Sequence, residues 1–207
     1  MPNLVISERT MFTESAELYD LIYSSMKDYA AESESIAKVL RQMHPRCRTI
    51  LDVACGTGEH ARLLAQVHGF EVDGVDLDPR LLAIAGAKHP EGRFHEGDML
   101  TLNLDRRFDA VICMFGSIAY ARTLARLQQA LTCFREHLSG DGIVLVEPFF
   151  TPDGMSDGHT GSRTVEANGT RVTRVNRSKL DGRLCRLYFD YEIEWRAIRG
   201  AQRRCTN

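Results

Sequence analysis

The chain has 207 residues, of which 43 % are hydrophobic and 26 % charged, with 26 basic against 28 acidic side chains and a net charge near −2. These values predict a globular domain of ordinary size, with or without an appendage, long enough to bury a full core. They exclude a global basic footprint for nucleic acid, and no apolar run reaches the length of about 18 residues that a membrane-spanning helix needs. Residues 1–9 lack a basic head followed by a long apolar run, so no secretory signal is expected. The cysteines are Cys47, Cys55, Cys113, Cys133, Cys185 and Cys205. None forms a C-x-x-C pair, and scattered thiols of this kind predict a cytoplasmic protein.

In chain order, residues 1–10 read as a loose arm. Ser15 to Met43 is helical, with Ile36, Val39, Leu40 and Met43 at i, i+3, i+4, i+7, and Pro45 stops the helix. Thr49–Ala54 is a buried strand, followed by the turn Gly56-Thr57-Gly58 and a helix to about Val67. Phe70–Val75 is a second strand ending at Asp76. Leu81–Ala87 is helical, with Pro79 in its first turn. Arg93–Glu96 and Phe108–Met114 are the third and fourth strands. Leu124, Leu127, Leu131, Phe134 and Leu138 mark a helix face that Gly140 and Gly142 end, and Ile143–Val146 is a fifth strand. Strands alternating with helices predict an α/β fold with a mostly parallel sheet covered on both faces. Beyond Pro148 the pattern changes. The hairpin signals Asn168-Gly169 and Asp181-Gly182 separate strand-like runs. In the last run Leu187, Phe189, Tyr191, Ile193 and Trp195 alternate with polar neighbours, so residues 163–196 read as a three-stranded antiparallel appendage. The expected division is a sheet-and-helix domain over 12–150, the appendage over 151–196 and a basic tail over 197–207.

Ligands of a parallel sheet sit outside the carboxyl ends of its strands. The turn Cys55-Gly56-Thr57-Gly58 lies there, and the helix after it offers unsatisfied N–H groups to an anion. Asp76, at the end of the second strand, is placed to accept from both hydroxyls of a ribose. Asp98, after the third, is placed to accept from the exocyclic amine of adenine, or to cap a turn. Leu77, Met99 and Met114 are apolar partners for a purine. Together they suggest an adenosine ligand with an anionic end. Gly56-x-Gly58-x-x-Ala61 also fits the dinucleotide fingerprint, so a nicotinamide-dependent oxidoreductase stands as an alternative.

Leu51-Asp52-Val53-Ala54-Cys55-Gly56-Thr57-Gly58 resembles the first motif of class I S-adenosylmethionine-dependent methyltransferases. Gly74-Val75-Asp76-Leu77-Asp78 resembles their second motif and Gly97-Asp98-Met99 their adenine motif. Within that class, Glu17-Leu18-Tyr19-Asp20-Leu21-Ile22, Lys27-Asp28-Tyr29 and Cys113-Met114-Phe115-Gly116-Ser117-Ile118 resemble bacterial TDP-amino-sugar N,N-dimethyltransferases of antibiotic biosynthesis. The resemblance implies a Rossmann-like fold, S-adenosylmethionine as cofactor, and a small-molecule acceptor methylated on an amine nitrogen. It implies lid helices bearing Tyr19 and Tyr29, and an antiparallel insertion that helps form the acceptor site and a homodimer. The implied cofactor-binding set is Tyr29, Asp52, Ala54, Gly56, Gly58, Asp76, Leu77, Asp98, Met99 and Met114; Tyr120 and Tyr19 are the implied catalytic residues. Two departures stand out. Tyr120 occupies a position where that subfamily often has His. The last two sheet strands of the family have no counterpart here, which leaves the fifth strand at an edge to be covered by the appendage, a second copy or the tail, and a truncated, non-catalytic cofactor binder is a further alternative.

A methyl group on a sulfonium needs no activation, so positioning can supply up to ~7–11 kcal/mol of the acceleration. The acceptor amine must be neutral to attack. Tyr120, with a reference pKa of about 10, is a poor resting base but can accept a hydrogen bond from the incoming amine. Phe149 and Phe150 are candidate walls for an acceptor pocket. No histidine spacing indicates a metal, and Cys55 and Cys113 are expected to pack as small hydrophobes.

Overall fold

A computed structural model describes residues 16–148, 154, 156–167, 169–181 and 184–195. The arm at 1–10, Phe149, Phe150 and the tail at 197–207 lie outside the described residues.

The chain opens with two helices, α1 (Ala16–Tyr23) and α2 (Tyr29–Met43), where the sequence pattern reads as one. The break has local causes. Ser25 Oγ donates to the Ile22 carbonyl (2.7 Å) at the end of α1, and the Asp28 carboxylate accepts from Ala31 N–H (3.0 Å) to start α2. Lys27, between them, is drawn inward over the Phe115 ring (3.7 Å) and pairs with Glu32 (2.9 Å).

Five strands follow: β1 (Thr49–Val53), β2 (Glu71–Asp76), β3 (Arg93–Glu96), β4 (Phe108–Cys113) and β5 (Leu138–Val146). They form one parallel sheet in the order β3-β2-β1-β4-β5. The helices between them are α3 (Glu59–Gln66), α4 (Pro79–Lys88) and α5 (Leu124–Glu136). Central β1 is covered on both faces, and its apolar run splits between two cores. Leu51 and Val53 pack with Val75, Phe108, Val111 and Phe134 on one side. Ile50 packs with Ile36, Leu40, Leu64 and Ile112 on the other.

Two expectations are corrected at the α5–β5 corner. The helix stops at Glu136, not at Gly140, because His137 folds back: its Nδ1 lies 2.7 Å from the Cys133 carbonyl and its Nε2 accepts from Leu104 N–H (3.0 Å). Leu138 therefore opens the strand, pairing with Phe108, and the register then jumps to Ala110↔Ile143. The buried face of α5 is Ala130, Cys133 and Phe134, while Leu124 is 84 % and Leu131 41 % exposed.

The appendage is a separate antiparallel sheet of β6 (Thr160–Ala167), β7 (Thr170–Asp181) and β8 (Leu184–Trp195), starting three residues earlier than the pattern suggests. Leu187, Phe189, Tyr191 and Ile193 share one face, opposite Ser178, Asn176, Arg174 and Val172 of β7. Among the described residues no strand pairs with the outer edge of β5. No helix among them is long and apolar enough to cross a membrane.

Candidate active site

The carboxyl ends of β1, β2 and β4 meet under α1. Two residues without the freedom of glycine hold positive φ there: Ala54 (60°) directly after β1 and Phe115 (57°) two residues after β4. Strained backbone at both strand ends around one cavity marks a site that the surrounding fold over-determines. Gly58 starts α3 at φ 71°, and a Cβ built on it would lie 2.8 Å from the Ala85 Cβ, so only glycine fits.

Five of the expected residues, Tyr19, Tyr29, Asp52, Ala54 and Met114, line one cavity. It encloses about 30 Å3, because Tyr19 lies over the glycine turn with its hydroxyl 3.6 Å from where a Cβ on Gly56 would sit. Gly56 and Gly58 form the turn itself. Gly56 N–H donates to Asp76 Oδ2 (2.8 Å), while Asp76 Oδ1 accepts from Asp78 N–H (3.0 Å). The Asp76 carboxylate is thus fastened to the turn, and burial lifts its pKa against the pull of those two hydrogen bonds.

Asp98 follows on the next strand, linked through Gly97 N–H to the Asp76 carbonyl (3.0 Å). Its Oδ1 accepts from Leu100 N–H (2.9 Å), so the turn-capping geometry is present as well as the expected placement after β3. Leu77 is 63 % exposed beside Asp76, whereas Met99 is buried in the core behind the sheet. The structure does not bring those two together with Met114. Tyr120 sits outside the cavity in the short 3-10 turn Ser117–Ala121, half exposed but near enough to raise the Tyr19 hydroxyl.

Asp52 is the most perturbed acid. It is buried at the end of β1, and its Oδ2 has no hydrogen-bond partner among the described residues. Burial pushes its pKa up to about 7, with Asp76 adding to the rise and His60 opposing it. A buried carboxylate oxygen without a donor is costly, and it fits a cationic ligand group. Burial likewise raises Tyr19 and Tyr29, with neighbouring phenols or acids adding to it, so both stay protonated. It pushes Cys113 up to about 12 and raises Cys55 well above the ordinary range, which leaves neither thiol a nucleophile.

Cys55 and Thr57 of the expected turn also line the cavity, and the sequence reading missed the rest of the wall: Glu59, His60, Phe115 and Ser117. His60 has Nε2 2.8 Å from Glu32, which also takes Lys27, and its ring meets Tyr29 edge-on. Lys88 Nζ ties Asp20 of α1 (2.7 Å) to Glu59 (3.3 Å) and Thr57 (3.2 Å), clamping α1 over the turn. Among the described residues no group of three or more His, Cys, Asp or Glu could hold a metal.

A parallel sheet with a glycine turn after β1, acids after β2 and β3 and an unsatisfied carboxylate beside the turn defines an enzyme fold that binds an adenosine cofactor with a charged end. The comparisons specify it. Residues 50–142 match the family described as "Methyltransferase domain". The chain is 44 % identical over 181 residues (87 % of this chain, 71 % of the relative) to dTDP-3-amino-3,6-dideoxy-alpha-D-glucopyranose N,N-dimethyltransferase of Streptomyces fradiae. It is 36 % identical over 181 residues (87 % and 76 %) to dTDP-3-amino-3,4,6-trideoxy-alpha-D-glucopyranose N,N-dimethyltransferase of Streptomyces venezuelae. The crystal structure of Streptomyces venezuelae DesVI aligns with a TM-score of 0.76 and 34 % identity, covering 86 % of this chain and 82 % of that one. The S-adenosylmethionine-bound CalS10, an amino pentose methyltransferase of Micromonospora echinaspora, aligns with a TM-score of 0.70 and 28 % identity, covering 96 % and 86 %. The chain belongs to the family of S-adenosylmethionine-dependent TDP-amino-sugar N,N-dimethyltransferases. Its glycine turn is that of a methyltransferase, and the nicotinamide alternative falls away.

Proposed function

We propose that this enzyme methylates, in two successive rounds, the amine nitrogen of a nucleotide-linked amino sugar. The observation that carries the reading is that 87 % of the chain, which holds the glycine turn and the end-of-strand acids on one parallel sheet, is 44 % identical to an enzyme named for that reaction. S-adenosylmethionine supplies, when bound, a methyl group on a sulfonium that needs no further activation. The chain's residues hold and align. The N–H groups at the start of α3 receive the carboxylate of the cofactor, and Asp52 with its unpartnered Oδ2 faces the ammonium. Asp76 takes the ribose hydroxyls and Asp98 the adenine amine, with the exposed Leu77 beside Asp76 the apolar contact for the purine. Tyr29 closes the side next to His60. Tyr19 and Tyr120, as neutral phenols, orient the acceptor amine by hydrogen bonding rather than removing its proton at rest. Because Tyr19 fills the approach to the turn, α1 swings away to admit the cofactor.

The reading places the sheet-and-helix unit over 12–150 as the cofactor domain and the appendage over 151–196 on the acceptor side, with a basic tail over 197–207. A cytoplasmic, homodimeric enzyme that does not act on nucleic acid is part of it. The supports are the free thiols among the described cysteines, an outer edge of β5 with which no described strand pairs, and a net charge near −2. Light scattering on the purified protein tests the dimer. The activity is tested by incubating the protein with S-adenosylmethionine and a dTDP-3-amino sugar and following product masses and the demethylated cofactor. Mono- and then dimethylated sugar is expected. A protein that binds the cofactor but methylates no nucleotide-linked amino sugar would overturn the acceptor assignment.

A further inference from the structure

The antiparallel sheet sorts its arginines by face. Arg171, Arg177 and Arg186 lie on one face, and each has an acidic partner: Glu166 and Glu194, Asp190, and Asp181. Arg163 and Arg174 lie on the other face, directly opposite one another in the β6–β7 register. Like charges directly opposed weaken a strand pair, yet among the described residues neither arginine has a carboxylate partner.

Arg163 Nη1 donates to the Ser25 carbonyl (2.9 Å) in the turn after α1. Arg174 is only 7 % exposed, and its buried Nε has no hydrogen-bond partner. Its guanidinium carbon lies 5.4 Å from the centre of the Tyr23 ring and 5.2 Å from that of Phe189, and Tyr191 stands directly opposite it in the β7–β8 register. Burying a cation on aromatic rings and neutral phenols alone leaves its charge uncompensated. Tyr23 connects this pair to the active site, its ring lying 5.2 Å from Phe115 and 4.4 Å from Tyr19. One helix, α1, covers the glycine turn with Tyr19 and Arg174 with Tyr23, so a single movement opens both.

We propose that Arg174, with Arg163 opposite it, is the anion subsite of the acceptor and binds the diphosphate of a nucleoside-diphosphate-linked sugar. The inference rests on the acceptor reading above and adds what recognises its charged part. A planar guanidinium matches phosphate oxygens with paired N–H donors, and stacking between Tyr23 and Phe189 fixes its plane. Two arginines without acids suit a diphosphate better than a monophosphate. When α1 lifts, phosphate oxygens take the place of the Tyr23 ring beside the guanidinium.

The test is calorimetry of the wild type, R174Q, R174K and R163Q with dTDP, dTMP, inorganic pyrophosphate and, separately, S-adenosylmethionine. The wild type is expected to prefer dTDP to dTMP. R174Q should lose about ten- to hundredfold in dTDP affinity, with a smaller loss for dTMP, so the preference collapses while cofactor affinity stays within a few-fold. R174K should recover part of it, and R163Q, at an exposed position, should lose less than R174Q. A merely structural arginine would lower the melting temperature and weaken both nucleotides alike. An unchanged dTDP-to-dTMP ratio in folded R174Q, or in R174K should R174Q fail to fold, overturns the proposal. Pyrophosphate binding as tightly as dTDP would overturn the nucleotide assignment. A wild type that ignores dTDP yet binds the cofactor sinks the acceptor reading itself, whereas turnover of a dTDP-amino sugar with an unaltered R174Q ratio sinks Arg174 alone.

Discussion

Asp52→Asn should make the protein more stable at alkaline pH and less able to hold its cofactor there. In the folded chain the Asp52 carboxyl is held near 7 instead of 3.8, chiefly by burial. Between those values the folded protein keeps a proton that the unfolded chain has released. Stability therefore falls as pH rises through that window, and above about pH 7 the whole cost stands. A rise of about 3 in pKa at 1.36 kcal/mol each corresponds to about 4 kcal/mol. Asparagine removes the titration. Urea unfolding followed by circular dichroism should find Asp52→Asn close to the wild type near pH 4 and more stable above pH 7. The gain is at most about 4 kcal/mol, less whatever the amide forfeits where Oδ2 lacks a donor. The ionised carboxylate is the form that faces an ammonium, so wild-type affinity for S-adenosylmethionine should climb between pH 6 and 8 and level off, while the variant's stays flat. A stability difference that does not vary with pH, or a variant less stable than the wild type at pH 8, would refute the reasoning.

Gly58→Ala should cost about 2 kcal/mol or more, read as a drop in melting temperature, because φ 71° strains alanine and its Cβ would press on Ala85. Asp76→Ala should weaken cofactor binding by about 1.5–3 kcal/mol in calorimetry, through loss of charged hydrogen bonds and release of Gly56 N–H. Asp98→Asn should cost less, since the amide oxygen still accepts from Leu100 and from adenine; complete loss of binding in a folded variant would remove the adenine assignment. Tyr120→Phe should slow turnover without abolishing it, with part of the loss recovered at higher pH where more acceptor amine is neutral; total loss at every pH would make Tyr120 an obligatory proton acceptor.

The central strands β1 and β4 were legible as short, mostly apolar runs, because burial on both faces leaves such runs little else to do, whereas β3 was legible only from its place in the alternation of strands and helices. The hairpins were legible from Asn168-Gly169 and Asp181-Gly182. The break between α1 and α2 was not, because it is held partly by Lys27 packing on Phe115, 88 positions further on. Leu138 misled because it keeps the helical spacing while His137 has already ended the helix. In the site, the order of glycine turn and two acids is carried by single residues at strand ends and shows in one dimension. His60, Glu32 and Lys88 act through partners 28 to 68 positions away on other elements, so no local spacing announces them. The Arg163–Arg174 pairing follows from the register of the β6–β7 hairpin, but that Arg174 is buried without an acid among the described residues depends on where the lid lies.

The uncompensated charges of this protein are not scattered. Among the described residues, Asp52 Oδ2 is buried without a donor on one side of α1, and Arg174 is buried without an acidic partner on the side of the antiparallel sheet. The two do not neutralise each other, because Tyr19, Tyr23 and Phe115 stand between the regions as an aromatic partition. Each charge is costly to the folded chain, and on the proposed reading each is opposite in sign to one end of what the reaction assembles: the cofactor's ammonium against Asp52, the acceptor's phosphates against Arg174. The same helix covers both and is pinned by the Asp20–Lys88 ion pair. Binding either ligand satisfies one charge and displaces the cover from the other, so on this geometry the cofactor and the acceptor should each tighten the other's binding.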